Sequence, residues 1–113
     1  MAYTALTPQV PTRAGMSVTF AAVDAANGNS FSNNGRRILR IKNASGSVVT
    51  ATVKFGKTID GVDTDAGKEI TIPATTGDIT TAVWPPDEYN QPDGTVHIDW
   101  SSGTTVTIAV VEV

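Results

Sequence analysis

The stretch Arg36 to Phe55, RRILRIKNASGSVVTATVKF, constrains this chain more than any other. Ile38 and Leu39 open an apolar run, after which Arg40 alternates with Ile41 and Lys42. Further on, Val49, Ala51, Val53 and Phe55 share one parity, and Thr50, Thr52 and Lys54 share the other. Side chains alternate across a β-strand with period two, so each segment offers one face to a core and one to water. Between the two segments, Asn43-Ala44-Ser45-Gly46-Ser47 supplies the small, polar and glycine residues of a tight turn. The expected unit is a β-hairpin.

The same alternation recurs along the chain. Met16, Val18 and Phe20 alternate with Ser17 and Thr19, which predicts a first strand over Met16–Val23. Asp24 to Gly35 reads as a long polar loop whose two Asn-Gly pairs tolerate positive φ, with Phe31 plugging the edge of the core. A second loop runs from Gly56 to Gly67. Lys68–Ile72 is a short strand stopped by Pro73, Ala74–Gly77 a turn, and Asp78–Trp84 the next strand. Pro85 to Gly94 is irregular, since its prolines cannot continue a sheet. Val96, Ile98 and Trp100 share a face over Thr95–Trp100, as do Val106, Ile108 and Val110 over Thr104–Val113. These last two segments are expected to form a second hairpin around Ser101-Ser102-Gly103.

About seven strands at this spacing predict an all-β, single-domain antiparallel sandwich, jelly-roll-like or Ig-like. Composition agrees. Of 113 residues, 40% are hydrophobic and only 17% charged, and Thr, Ser, Gly, Asn and Ala fill the gap. Beta-branched residues lose rotamer freedom in helices and pack well on pleated sheets. The length suits one domain. Residues 1–16, with Pro8, Pro11 and Gly15, read as an extended N-terminal arm, and residues 17–113 as the sandwich. The arm either lies along its own domain or reaches onto a neighbour.

Charge and chemistry narrow the function. A net charge of −3 argues against nucleic acid, which needs clustered surplus Lys and Arg. Alternation puts Arg36, Arg40 and Lys42 on one face, either as a solvated sheet surface or as a patch that docks on an acidic partner. The chain has no cysteine, which suits synthesis in a reducing cytoplasm. It shows no signal peptide and no stretch long enough to span a membrane. One histidine and no cysteine exclude a Cys–His pair and a three-His zinc site. His97 alternates with core positions and is expected on the surface, so no enzyme and no cofactor are expected. Asp60, Asp63 and Asp65 form a weak candidate calcium loop whose spacing departs from the EF-hand pattern. Trp84, Pro85 and Tyr89 read either as an aromatic platform for sugar or peptide, or as anchors of the core.

Taken in order, the Arg-Arg-Ile-Leu-Arg-Ile-Lys-Asn strand, Ile72-Pro73-Ala74, Trp84-Pro85-Pro86 and Asp93-Gly94-Thr95-Val96-His97 resemble small virion proteins of tailed bacteriophages. The likeness runs from Phe31 to Val113, and the type is the capsid decoration, or cement, protein. The resemblance implies a non-enzymatic protein made in the host cytoplasm that binds the major capsid protein lattice on the virion surface, often as a homotrimer. Contacts are then expected from the arm (Tyr3, Leu6, Val10, Arg13), from Trp84, Pro85 and Tyr89, and from Arg36, Arg40 and Lys42. A tail or head–tail joining component fits the same composition. A carbohydrate-binding or adhesion module built on Trp84 and Tyr89 is the reading from another class.

Overall fold

In the computed structural model, which describes residues 3–56, 58–59, 62–63, 67–103 and 105–112, the alternating segments do become strands. In chain order they are β1 (Thr4–Ala5), β2 (Ala21–Ala22), β3 (Asn29–Ser32), β4 (Arg37–Asn43), β5 (Val49–Lys54), β6 (Thr58–Ile59), β7 (Val62–Asp63), β8 (Gly67–Ile72), β9 (Gly77–Thr80), β10 (Thr95–Trp100) and β11 (Val106–Glu112). A single helical turn, α1 (Pro86–Tyr89), interrupts the irregular stretch before β10. Three elements differ from expectation. The Asn29–Ser32 segment is a strand rather than loop, the first strand shrinks to Ala21–Ala22, and β9 ends at Thr80 rather than Trp84.

Neither expected hairpin exists. β4 pairs with β11 and β9, whereas β5 pairs with β10 and β8, so β4 and β5 face each other from opposite sheets. β10 and β11 are separated in the same way. Alternation cannot distinguish the two arrangements, because a strand with one buried face looks the same in a hairpin and in an arch that crosses the core. Asn43 tips the balance. It has the parity of Leu39 and Ile41 and is 1% exposed, so its carboxamide lies inside the end of the sandwich. There its Oδ1 accepts from the Ser45 backbone N–H and hydroxyl, and its Nδ2 donates to the carbonyls of Ser47 and Pro73. A turn held from within folds over the core instead of lying flat.

The sheets run β1-β3-β10-β5-β8 and β2-β11-β4-β9. With β1 set aside, each consecutive strand changes sheet except at β5 to β8, which join through the small β6–β7 ribbon. That order, four strands facing four, is the double Greek key of a jelly roll and not the ABED/CFG order of an immunoglobulin sandwich. Between the sheets, Leu39 and Ile41 of β4, Val49, Ala51 and Val53 of β5, and Val96 and Ile98 of β10 are fully buried. Val106, Ile108 and Val110 of β11 are each 1% exposed. Burying such a side chain contributes about 1.5–3 kcal/mol.

The arm belongs to the sandwich as far as Gln9. Thr4–Ala5 adds to β3 as a parallel edge strand, and Leu6 packs against the core. The chain then crosses to the other sheet, where Gln9 bridges Val111. The Gln9 carboxamide also clamps the main chain of Thr19, accepting its N–H at 2.9 Å and donating to its carbonyl at 2.8 Å. Asp60 and Asp65 of the candidate calcium loop lie outside the described residues, and of Asp63 only the backbone, paired with Thr58, is described.

Candidate functional site

Register places the basic residues. Ile41 opposite Ile108 and Leu39 opposite Val110 point into the core, so the intervening pairs Lys42–Thr107, Arg40–Ala109 and Ile38–Val111 point out. On the other side of β4, Lys42 stands opposite Asp78 and Arg40 opposite Thr80. The outer face of this sheet thus carries Arg40 and Lys42 side by side, with Arg36 just before the strand. Arg40 reaches Asp78 at 3.9 Å, a half-exposed contact that adds little stability.

Phe20 completes this face, and alternation alone had assigned it to the core. It immediately precedes β2, whose Ala22 pairs with outward-facing Thr107, so the same parity turns Phe20 outward. The Lys42 ammonium lies 4.3 Å and the Arg40 guanidinium 5.5 Å from its ring centroid. Each such contact is worth about 0.5–1 kcal/mol at an exposed site. It also stops two long side chains from wandering, which lowers the entropy lost when a partner binds them. The signal that could have placed Phe20 was its distance from the next apolar residue of the same parity, because Ala22 is too small to continue a core stripe.

The other predicted contact residues divide between surface and interior. Val10 is 58% exposed, and Arg13 is exposed in a turn in the second half of the arm. Tyr3 lies on its own domain: its ring stacks on His97 at 4.0 Å and its hydroxyl donates to Asp99 at 2.8 Å. Leu6 is partly buried on the core. Trp84 and Tyr89 are 7% and 8% exposed and meet edge to face at 4.9 Å, with Phe55 against Tyr89 at 5.4 Å. They close the open side of the sandwich beneath α1, so these rings make no platform at the surface. Gly56 permits this closure. A Cβ there would sit 1.8 Å from the Asn90 carbonyl oxygen. Pro85, exposed, starts α1.

Titratable groups near one another are few. On the outer face of the β1-β3-β10-β5-β8 sheet, His97 lies under Tyr3 and between Asp93, Asp99 and Lys54. Burial holds it below its ordinary value of 6.5, against the pull of the two carboxylates and helped by Lys54. Lys54 pairs with Asp99 at 3.4 Å. Among the described residues, no group of three His, Asp or Glu side chains is arranged to hold a metal ion, and no helix is long and apolar enough to cross a membrane. Two buried asparagines went unforeseen. Besides Asn43, Asn29 accepts from the indole N–H of Trp100 at 2.9 Å and from the Asp24 backbone at 3.0 Å, tying β3 to β10. Comparison of the chain with protein families, with curated proteins and with solved structures returns no match.

Proposed function

We propose that this protein is a non-enzymatic docking module that binds the outer surface of an assembled phage head and stabilises it. The observation that carries the reading is the outer face of the β2-β11-β4-β9 sheet, where Phe20 holds Arg40 and Lys42 in place beside Arg36. Arg36, Arg40 and Lys42 are three of the chain's eight basic residues, gathered within seven positions of a molecule whose net charge is −3, whereas Arg37, of core parity, is taken up by Glu112 and Ser32. A local positive face on an acidic molecule steers it toward an acidic surface in one orientation. Arginine and aromatic side chains are also the types enriched at protein interfaces. Docking needs no chemistry: a ligand that binds only the assembled lattice shifts the equilibrium toward assembly by mass action. Val10 and Arg13, in the second half of the arm, extend the contact surface.

The test is cosedimentation of the purified protein with phage heads that lack it, followed by heating of the heads. Bound protein should raise the temperature at which the heads release their DNA, and Arg40→Glu with Lys42→Glu should abolish both effects. A chain that sediments with neither heads nor tails would sink the reading. Binding to tails alone, seen by gold labelling in the electron microscope, would favour the tail or head–tail component. The trimer implied by the resemblance is read separately from the solution mass by light scattering, where a monomer removes it.

A further inference from the structure

Where that face ends, three crossings between the sheets converge at one end of the β2-β11-β4-β9 sheet and border a groove of about 510 Å³. Its polar side chains include Lys42, Asp78, Thr75, Thr76, Thr105 and Thr107. Two of these residues stand out in the backbone. Thr75 has φ 68° and Thr105 φ 52°, and among the described residues they are the two non-glycine positions with positive φ. A β-branched residue in the left-handed region is a true outlier that persists only where its surroundings over-determine it. Here the surroundings are visible. Thr75 N–H donates to the Ser45 carbonyl at 2.7 Å, and Ala44 N–H donates to the Thr105 carbonyl at 3.1 Å. The buried Asn43 carboxamide braces the same turns from beneath, reaching the carbonyls of Ser47 and Pro73. These hydrogen bonds hold the backbone around the groove in one arrangement.

We infer that this groove is a binding site for a saccharide unit at the edge of the docking face, with which it shares Lys42. The donor set selects the ligand class. Lys42 only donates hydrogen bonds, Asp78 only accepts them, and threonine hydroxyls do both. A polyol, whose neighbouring hydroxyls each donate and accept, matches that alternation. One ammonium and one carboxylate leave the lining neutral, which disfavours a phosphate or a polyamine. The volume lies within the range of small-molecule sites. The backbone of Thr75 and Thr105 is already held by hydrogen bonds to Ser45 and Ala44, so a sugar would cost little backbone ordering on this wall.

The experiment is a titration of the isotope-labelled full chain, followed by amide resonances, with maltose, lactose, mannobiose and chitobiose, and with inorganic phosphate as a comparator. At least one disaccharide is expected to shift the amides of Thr75, Thr76, Gly77, Asp78 and Thr107 in a saturable way. Asp78→Asn, which lies on the surface and should fold, is expected to weaken that binding at least tenfold. Thr75→Gly, which removes the Cβ from a left-handed position, should keep or raise the melting temperature while weakening the sugar. Overturning results are the absence of localised shifts with all four disaccharides, a response to phosphate alone, or binding that Asp78→Asn leaves unchanged. Thr75→Gly that binds as well as the parent chain would overturn the role given to the strained backbone.

Discussion

The carboxamide of Asn43 accepts two hydrogen bonds within the β4–β5 crossing and donates to main-chain carbonyls in that crossing and in the neighbouring β8–β9 crossing. Each bond alone contributes modestly, but a buried carbonyl left without a donor costs about 1–3 kcal/mol. Asn43→Leu, similar in size, strips partners from Ser47 and Pro73 together. It should lower stability by about 2–4 kcal/mol in urea unfolding, more than Ala51→Ser in the core centre. His97 makes a second prediction at this scale. Its pKa in the fold lies below the unfolded value of 6.5, set by burial against Asp93 and Asp99 with Lys54 adding to the shift. Between those two values the unfolded chain binds the proton and the folded chain does not. Stability should therefore rise with pH through that window, fall as the pH drops below 6.5, and level off beneath the folded pKa. His97→Phe keeps a ring under Tyr3 and should erase that step from denaturation curves measured across pH 4–8 (a range of about that width is set by the ordinary imidazole value). A step that survives the substitution would place its origin in another group.

At the scale of elements, the arm is an edge device as much as a tether. β1 covers one side of β3, and Gln9 covers the end of β11, so two free sheet edges on the same flank are occupied. Exposed edges invite pairing with other chains. A chain beginning at Val10 loses the Leu6 packing, the Tyr3–Asp99 bond and the β1–β3 pairing, yet retains all eight jelly-roll strands. It should still fold, with stability lowered by about 2–4 kcal/mol from lost burial and hydrogen bonds. It should also aggregate more readily on storage, as light scattering would show. Gly28→Ala tests the same contact from the other side. At φ +78 a Cβ there would lie 2.4 Å from the Tyr3 ring and 2.7 Å from the Ile98 carbonyl oxygen. The arm must then lift and the end of β10 shift, and protection of the Thr4 and Leu6 amides against hydrogen exchange should fall. Unchanged protection would mean that the arm is held elsewhere.

At the scale of the whole molecule, strands adjacent in sequence mostly lie in opposite sheets, so nearly every ladder joins distant segments. Loop-closure entropy must be met before such contacts form, which slows folding relative to sheets built from hairpins. Refolding is expected in the range of milliseconds to seconds or slower, as for other non-local β folds. Trp100, tied to Asn29 in one sheet, and Trp84, beneath α1 at the opposite edge, sample the two flanks of one core. In the single-tryptophan variants Trp84→Phe and Trp100→Phe, fluorescence and circular dichroism should report one common midpoint. The Trp84 indole N–H is buried without an acceptor among the described residues, so Trp84→Phe should be the milder change. Separate midpoints for the two reporters would divide the jelly roll into independently melting halves.

The positions of β4, β5 and β10 and their buried faces were legible from residue order, because period two is a local property: Leu39, Ile41, Val49, Val53, Val96 and Ile98 all face inward as their alternation requires. The basic face of Arg36, Arg40 and Lys42 was legible for the same reason. Partner choice was not. Whether β4 meets β5 in a hairpin or across the core depends on an asparagine whose parity is apolar and whose five-residue turn looks equally suited to both. Phe20, Trp84 and Tyr89 show the same limit from two directions: one ring expected inside lies outside beneath two cations, and two rings considered for the surface close the core. Local sequence determines which side of a strand is apolar. What that side meets is decided by sheet order, which emerges only when all the edges and corners compete for the same buried volume.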